Sequence, residues 1–337
     1  MENNLPPNIA ITQMIFGYVT TKAIHVAAKL NIADLITAHG PMDSNDLEHS
    51  TGADSGAIFR LLRALASSGI FMEGENGKFS LTPLAECLKE DSPISVKAMA
   101  LSAGSLFYKT FNEFLFAVEN GGGGRWVKTL GAPPFEYLRD HPEEGKIFDR
   151  MMTDIHGGET QPMVENYDFS VFKTVIDIGG GNGDVISAVL HKNPETKGVL
   201  FDLPEVILRS TENITTAGLN ERCRLMAGNF FDSVTSGGDA YILRHIIHDW
   251  SDEDAVRILT NCRKAMNPGG KILVVEAVIP GGNEPHPFKW LDLTMLMIGG
   301  KERTEEQFDY VFMKAGLKLT RIIPVTPAIC IVEGEVN

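Results

Sequence analysis

The stretch Val175-Ile176-Asp177-Ile178-Gly179-Gly180-Gly181-Asn182-Gly183-Asp184 decides the fold of this chain. Its β-branched start predicts a buried parallel strand, its glycines a tight turn, and a helix is expected to begin near Asp184. Glycines allow positive φ and let a ligand approach backbone N–H groups closely. Asp177 lies near the carboxyl end of the predicted strand, and open α/β sheets bind ligands at this end of their strands. We therefore expect a ligand at this loop, and a glycine-rich loop without a ligand is the weaker alternative.

Strands and helices alternate after this stretch, which indicates a doubly wound α/β domain with a mostly parallel sheet. Helices are predicted at 184–191, from 251 to about 266, and at 305–315. The predicted strands are 175–178, 198–202, 239–244, 271–277, 317–323 and 328–333, and 224–230 is predicted as a further strand with its exit.

Composition limits the classes of function. The chain has 337 residues with a formal net charge of −14, which fits about two domains and disfavours nucleic acid as a partner. Four scattered cysteines indicate a reduced, cytoplasmic protein. Residues 1–7 do not resemble a signal peptide, and no apolar run reaches the length of a membrane span.

The N-terminal part predicts helices followed by a hairpin. Residues 9–36 have helical spacing with interruptions at Gly17 and Asn31, which we interpret as two helices. Helices at 44–52 and 55–68 and an Asn-Gly hairpin within 69–82 then follow, which is the winged-helix order. Few basic residues accompany this shape, which favours protein interaction or substrate shaping over DNA binding.

Three segments follow from these patterns: a winged-helix-like domain at 1–105, a helical connector at 106–168 and a catalytic domain at 169–337. The connector is rich in aromatic residues, which line a ligand pocket or form plain core, and the pattern leaves both open. Met152 in this connector can pack against a flat ring of a ligand or belong to the core. The glycines from Gly121 to Gly124 predict a turn.

Polar residues at strand ends narrow the ligand. Asp202 lies 25 residues after Asp177, close to the spacing at which an acid receives ribose hydroxyls. Asn229 and Phe230 offer an amide and a flat face for an adenine. The dinucleotide fingerprint fails, because neither Asp184 nor Ile186 is glycine. An acid beside the loop favours a cationic adenosine ligand such as S-adenosylmethionine.

Five motifs in order then carry a resemblance. They are Asp177–Gly183, Phe201-Asp202-Leu203-Pro204, Gly228-Asn229-Phe230-Phe231, Leu243–Asp252 and Gly299–Thr304. The series resembles that of the S-adenosylmethionine-dependent O-methyltransferases, in the branch with the caffeate and flavonoid, acetylserotonin and bacterial natural-product enzymes. The resemblance implies a Rossmann-like methyltransferase domain after a mostly helical winged-helix dimerisation domain, a homodimer, and a role in secondary metabolism.

The resemblance also implies roles for single residues. In the catalytic group His248 corresponds to a general base between two acids, Glu276 and Glu302. The cofactor contacts it implies are Asp177, Gly179, Gly181, Asp202, Leu203, Asn229, Phe230 and Arg244. Two positions depart from the pattern, since the family usually has an acid at 229 and the plant enzymes usually have lysine at 244. The segment between Asp292 and Gly299 also looks shorter than in the plant enzymes, so their acceptor contacts there do not transfer.

The chemistry of methyl transfer agrees with a histidine base. A phenol with a pKa near about 10 is mostly protonated at neutral pH, and an imidazole can accept its proton. His245 ranks second to His248 as the base, and we expect it to pack against the sheet. We expect the acceptor, an aromatic or polyketide-like hydroxyl compound, to contact Met152, Asp249, Trp250 and Met295, without a metal ion. The alternatives are methylation of nitrogen or carbon, a non-methyl reaction, and a winged-helix regulator.

Overall fold

The computed structural model describes residues 5–123 and 125–336, with the side chains of Arg125 and Phe135 left aside. Residues 1–4 of the N-terminal segment and Gly124 of the predicted turn lie outside this description. The chain divides into two compact units, one formed by Met1–Glu113 and Val127–Gly157 and the other by Phe114–Trp126 and Gly158–Asn337. Within the described residues, no helix combines the length and apolarity that crossing a membrane requires.

The second unit contains a seven-stranded sheet. Its strands are β3 (Thr174–Ile178), β4 (Lys197–Asp202), β5 (Cys223–Ala227), β6 (Ala240–Arg244), β7 (Lys271–Glu276), β8 (Leu317–Pro324) and β9 (Cys330–Val336). They run in the order β5-β4-β3-β6-β7-β9-β8, with the first five parallel and β9 antiparallel to both neighbours. The expected doubly wound α/β domain is confirmed, and β3 lies in its middle.

Both faces of the sheet are covered, so adjacent residues of one strand belong to different cores. Val175 packs in one buried cluster and Ile176 in the other. The same division separates Ile242 from Tyr241 on β6. Side chains of a strand point alternately to opposite faces, and a strand covered on both sides reads as a continuous apolar run. Because β3 to β7 pair in parallel, their carboxyl ends lie along one edge of the sheet.

Helices of the second unit include two that the sequence patterns did not predict. They are α9 (Phe114–Asn120), α13 (Thr160–Asn166), α14 (Asp184–Lys192), α15 (Pro204–Thr216), α16 (Asp252–Ala265), α17 (Phe288–Ile298) and α18 (Glu305–Lys314). Short 3₁₀ turns occupy Phe169–Val171 and Ile247–Asp249. The two missed helices are α15, which begins at Pro204, and α17, which follows Pro287 and is capped by Gly299, where φ is 100°.

The first unit is helical with a small hairpin. Its helices are α1 (Pro7–Ile15), α2 (Gly17–Lys29), α3 (Ile32–His39), α4 (Ser44–Thr51), α5 (Ser55–Ser67), α6 (Pro83–Glu86), α7 (Lys97–Ser102), α8 (Tyr108–Thr110), α11 (Pro134–Asp140) and α12 (Pro142–His156), and α10 (Arg125–Leu130) begins in the second unit and ends in the first. The predicted helix pair at 9–36 is wrong, because Asn31 takes a left-handed conformation and separates a third helix. The α4-α5 pair and the hairpin of β1 (Phe71–Glu73) and β2 (Phe79–Leu81) follow in the expected order.

Candidate active site

The glycine loop after β3 has open space beside its backbone at Gly181. Gly179 and Gly181 have φ values of 66° and 58°, which side chains rarely adopt. A Cβ on Gly179 would lie 2.5 Å from Cδ1 of Ile246, whereas one on Gly181 would meet no atom within 4 Å. The space above Gly181 is therefore open, and the backbone there is accessible to a ligand.

Asp202 lies beside this loop at the end of β4. One of its carboxylate oxygens accepts the Gly181 N–H at 2.9 Å, and the other accepts the Leu203 N–H at 2.7 Å. Burial raises the pKa of Asp202, while these two N–H donors oppose that rise. Each oxygen keeps a second lone pair, so the carboxylate is oriented by the backbone and can still accept two hydroxyl donors.

Asp177 is buried at the base of the loop. Its Oδ2 has no hydrogen-bond partner among the described residues, and a Cβ on Gly180 would lie 2.6 Å from it. Burial raises the pKa of Asp177 to about 7, although the positive charge of Arg244 opposes the rise. The carboxyl group thus lies under the loop rather than on its open face, and its direct contact with a ligand remains a prediction.

Asn229 and Phe230 follow β5 at the same edge. The side-chain oxygen of Asn229 accepts the Phe231 N–H at 2.9 Å and closes a turn. The ring of Phe230 packs edge-on against Phe231 and Trp250, with centroid distances of 5.0 and 6.0 Å. Trp250 therefore belongs to an aromatic cluster, and its contact with an acceptor remains a prediction.

His248 lies on the 3₁₀ turn after β6, and its side chain is 9% exposed. Its Nδ1 lies 2.9 Å from Oε1 of Glu302, and its backbone N–H donates to Oε1 of Glu276 at 3.0 Å. The other ring nitrogen, Nε2, lies 3.6 Å from Oδ1 of Asp249. A carboxylate on Nδ1–H selects the tautomer in which Nε2 can accept a proton.

Neighbouring carboxylates control the charge of His248. Burial alone lowers the pKa of His248, but the hydrogen bond to Glu302 and the charges of Asp249 and Glu276 raise it to about 10. Burial has the opposite effect on Glu276, because it disfavours the charged carboxylate and raises the pKa to about 7. The imidazole is therefore a stronger base than a free histidine, and its neutral fraction grows with pH.

Comparisons with known proteins agree with this geometry. The O-methyltransferase domain family matches residues 111–318, and the O-methyltransferase dimerisation domain family matches residues 12–91. Phenazine O-methyltransferase PhzM of Lysobacter antibioticus is 41% identical over 99% of both chains. The chain belongs to the O-methyltransferase family.

Two further relatives show the range of this methyltransferase family. The O-methyltransferase NcsB1 from neocarzinostatin biosynthesis, solved with S-adenosylmethionine and 2-hydroxy-5-methyl naphthoic acid, is 29% identical with a TM-score of 0.84, covering 94% of this chain and 96% of that one. The 8-amino-8-demethylriboflavin N,N-dimethyltransferase of Streptomyces davaonensis is 32% identical over 92% of this chain and 90% of the relative.

The cofactor of this methyltransferase is S-adenosylmethionine. The residues present fit it, because the open backbone above Gly181 and the oriented carboxylate of Asp202 suit a ligand that carries ribose hydroxyls. The buried Asp177 adds an acidic group beneath the loop, which favours a cationic ligand over an anionic one.

The remaining predicted residues of the methyltransferase lie in different surroundings. Arg244 donates from Nη1 to Oγ1 of Thr160 at 2.8 Å. Met295 is buried on α17, where its carbonyl accepts the N–H groups of Gly299 and Gly300. Met152 lies on α12 in the first unit. Acceptor or cofactor contacts of these residues remain predictions.

Sequence reasoning missed two residues that support His248. Asp292 on α17 accepts the Glu302 N–H at 2.8 Å. Arg303 is fully buried and donates to the carbonyls of Ile247 and Trp250, each at 2.9 Å. The helix signals around α17, a proline before it and a glycine after it, were available to locate Asp292. No local pattern indicates the role of Arg303.

Proposed function

We propose that the enzyme transfers a methyl group from S-adenosylmethionine to a hydroxyl group of a planar aromatic natural product, with His248 as the general base. The observation that carries this proposal is the buried contact between Nδ1 of His248 and Glu302, which leaves Nε2 as the proton acceptor. When bound, the cofactor supplies an electrophilic methyl group. The protein's task is then to hold the hydroxyl and remove its proton.

The proton has a defined destination in this proposal. It leaves the acceptor hydroxyl for Nε2 of His248, and the imidazolium that forms is stabilised by Glu302 at Nδ1. Glu276 holds the backbone of His248 and orients the turn. General base catalysis of this kind contributes roughly 10²- to 10⁴-fold to a rate.

The cofactor contacts are proposed along the edge of the sheet. Gly179 and Gly181 face its methionine part, Asp202 and Leu203 its ribose, and Asn229 with Phe230 its adenine. The oxygen of Asn229 already accepts the Phe231 N–H, so it has one lone pair left for a ligand donor. Arg244 and Asp177 contribute charge beside this site.

The acceptor class is inferred from relatives with similar chains. PhzM is a phenazine O-methyltransferase, and NcsB1 was solved with a naphthoic acid. Both names point to fused, flat ring systems. We propose that Asp249, Trp250 and Met295 contact such a ring, together with Met152 from the connector at 106–168.

A screen of acceptors tests this function. The purified enzyme is incubated with methyl-labelled S-adenosylmethionine and matched pairs of hydroxylated and unsubstituted phenazines and naphthoates, and products are detected by mass spectrometry. Labelled methyl groups are expected on hydroxylated compounds alone. Transfer to none of them, with the cofactor bound, would contradict the proposed acceptor class.

Methylation of nitrogen is the second candidate, because the riboflavin-analogue dimethyltransferase is 32% identical over most of the chain. Amino-substituted members of the same acceptor pairs decide between them. Transfer to the amine at a higher kcat/KM than to the hydroxyl would favour this candidate. We expect EDTA to leave transfer unchanged, since the proposed proton acceptor is a side chain.

The first unit is proposed to form a homodimer. Helix α1 buries none of its residues, and Met14, Ile15 and Phe16 are all exposed. All three fall within the matched dimerisation domain at 12–91. A second copy of the chain would cover this apolar face, with 1–105 as the winged-helix-like dimerisation domain and 169–337 as the catalytic domain.

A further inference from the structure

His245, three residues before the proposed base, has an unusual backbone. It directly follows β6, and its φ is 53°. The other non-glycine residues with positive φ in the described chain are Asn31 and Asn76, a residue type that tolerates this region well. A side chain persists in such a conformation where surrounding contacts hold it, and these sites concentrate near function.

A buried carboxylate holds this histidine. Nε2 of His245 lies 2.7 Å from Oε2 of Glu159, and the side chains are 8% and 10% exposed. Because an ionised carboxylate accepts hydrogen bonds, Nε2 carries the proton. The preceding residue, Arg244, donates from Nη1 to the hydroxyl oxygen of Thr160 at 2.8 Å. Two adjacent residues at the exit of β6 thus hold two adjacent residues at the start of α13.

The left-handed turn at His245 sets the direction of the segment that follows. Ile246 comes to lie against Gly179, as the 2.5 Å approach of a hypothetical Cβ there shows. Ile247 enters the core with no exposed surface, and His248 reaches Glu302. The rings of His245 and His248 have their centroids 5.3 Å apart. A change at His245 therefore reaches the proposed base through a single short turn.

We propose that Glu159 and His245 are positioning residues, which hold the left-handed turn and thereby fix where His248 presents Nε2. This inference rests on the proposed role of His248 as the base. The hydrogen bond from His245 to Glu159 restricts rotation of the imidazole and keeps the turn in one conformation. Neither side chain exchanges a proton with the acceptor. In the competing mechanism, a proton relay, the negative charge of Glu159 would matter in addition to its hydrogen bond.

The first test removes the contact. H245A and E159A are each expected to lower kcat roughly 10- to 100-fold, since small misplacements of reacting groups are costly. The double variant should lose no more than about threefold beyond the worse single variant, because both remove one contact. The dissociation constant for S-adenosylhomocysteine and the apparent pKa in kcat/KM should stay close to those of the wild type. A kcat within twofold of wild type for H245A overturns the proposal.

Conservative variants separate positioning from a proton relay. E159Q keeps an acceptor oxygen for His245 without the charge, so it should retain more activity than E159A. H245G adopts positive φ freely and should retain more activity than H245A. If E159Q is as inactive as E159A, the charge of Glu159 is required, which indicates a relay and overturns positioning. An H245G variant less active than H245A would also overturn positioning. E159Q and H245G also distinguish positioning from a relay if an alanine variant does not fold.

The H248A background keeps this inference separate from the proposed function. H245A should have no further effect on the residual rate of H248A, since it acts through that residue. If H248A transfers at the wild-type rate, the base assignment fails whatever His245 does. If H248A loses activity while H245A and E159A keep theirs, positioning alone fails.

Discussion

His248 is held by two carboxylates in different ways, and the difference sets its behaviour with pH. Glu302 contacts the ring, whereas Glu276 contacts the backbone N–H. Only the neutral ring can accept a proton, and its pKa of about 10 places that form above neutral pH. The kcat/KM of the wild type should therefore rise with pH through the neutral range, with a midpoint near pH 10.

Replacing Glu302 by glutamine tests the origin of this pH dependence. In E302Q the amide oxygen would still accept the hydrogen bond from Nδ1, but without the negative charge the pKa of His248 falls. The midpoint of kcat/KM should move down by about one pH unit or more, and the plateau should fall roughly tenfold as the imidazolium loses the negative charge beside it. Stopped assays from pH 6 to 10.5 measure both.

Ionisation of a phenolic acceptor does not affect the comparison between the midpoints of the wild type and E302Q. The acceptor titrates identically with both enzymes, so a difference between their midpoints belongs to the protein. Equal midpoints for wild type and E302Q would show that Glu302 does not raise the pKa of the base.

At the scale of elements, the turn Ile247–Asp249 depends on Arg303. Its guanidinium donates to the carbonyls of Ile247 and Trp250 and also binds Oδ1 of Asp252 at 2.9 Å. Arginine suits this position because its planar fork offers several donors in fixed directions. The buried guanidinium of Arg303 therefore stabilises the turn that carries His248.

An R303M variant measures this stabilisation. Methionine leaves the carbonyls of Ile247, Lys301 and Trp250 without this donor and removes one of the two cations at Asp252, so the free energy of unfolding should fall by about 3–5 kcal/mol. K301M is the matched control, because Lys301 binds the same carboxylate at 3.0 Å from a partly exposed position. It should lose less than about 1 kcal/mol in urea denaturation. Equal losses for both variants would contradict this role of Arg303.

Strands and strand-end residues were predictable because their signals are local. The central strands β3, β6 and β7 are short, mostly apolar runs, Asp202 ends β4, and Asn229 follows β5. The segment 224–230, predicted as a strand and its exit, contains β5 up to Ala227, and Gly228 begins the exit. Helix α17 was missed because apolar residues occupy most of its positions, so it lacks the stripe that marks an amphipathic helix.

The contacts that orient the base were not predictable from local patterns. His245 and Glu159 are 86 residues apart in sequence, and His248 and Glu302 are 54 apart. The second pair was expected through the resemblance to a family, whereas the first was not. We expected His245 to pack against the sheet, and the structure instead gives it a buried carboxylate partner. Residues so far apart in sequence come into contact only when the strands assemble into the sheet, so the contact has no local sequence signal.

At the scale of the whole molecule, the dimer is the feature that a single chain leaves open. Met14 is 74% exposed and Phe16 57% exposed on the N-terminal helices. The double variant M14E/F16E should raise the dimer dissociation constant about 30-fold or more, since buried apolar anchors contribute about 2 kcal/mol or more. Sedimentation velocity across a concentration series measures this.

Leu208 provides the control for that measurement. It is 77% exposed on α15 in the second unit, so L208E adds the same kind of charge away from the dimerisation domain. L208E should sediment as the wild type does. A wild type that stays monomeric at micromolar concentration, or an M14E/F16E variant that still dimerises fully, would contradict the proposed interface.

The identity of the base is tested most directly by H248A, assayed for methyl transfer and for cofactor binding on the same preparation. The account predicts that kcat for the best hydroxylated acceptor falls roughly 10²- to 10⁴-fold. The dissociation constant for S-adenosylhomocysteine, measured by calorimetry, should change by less than about threefold, since Gly181 and Asp202 lie elsewhere along the sheet edge. Undiminished transfer with the cofactor still bound would contradict the assignment of His248 as the general base.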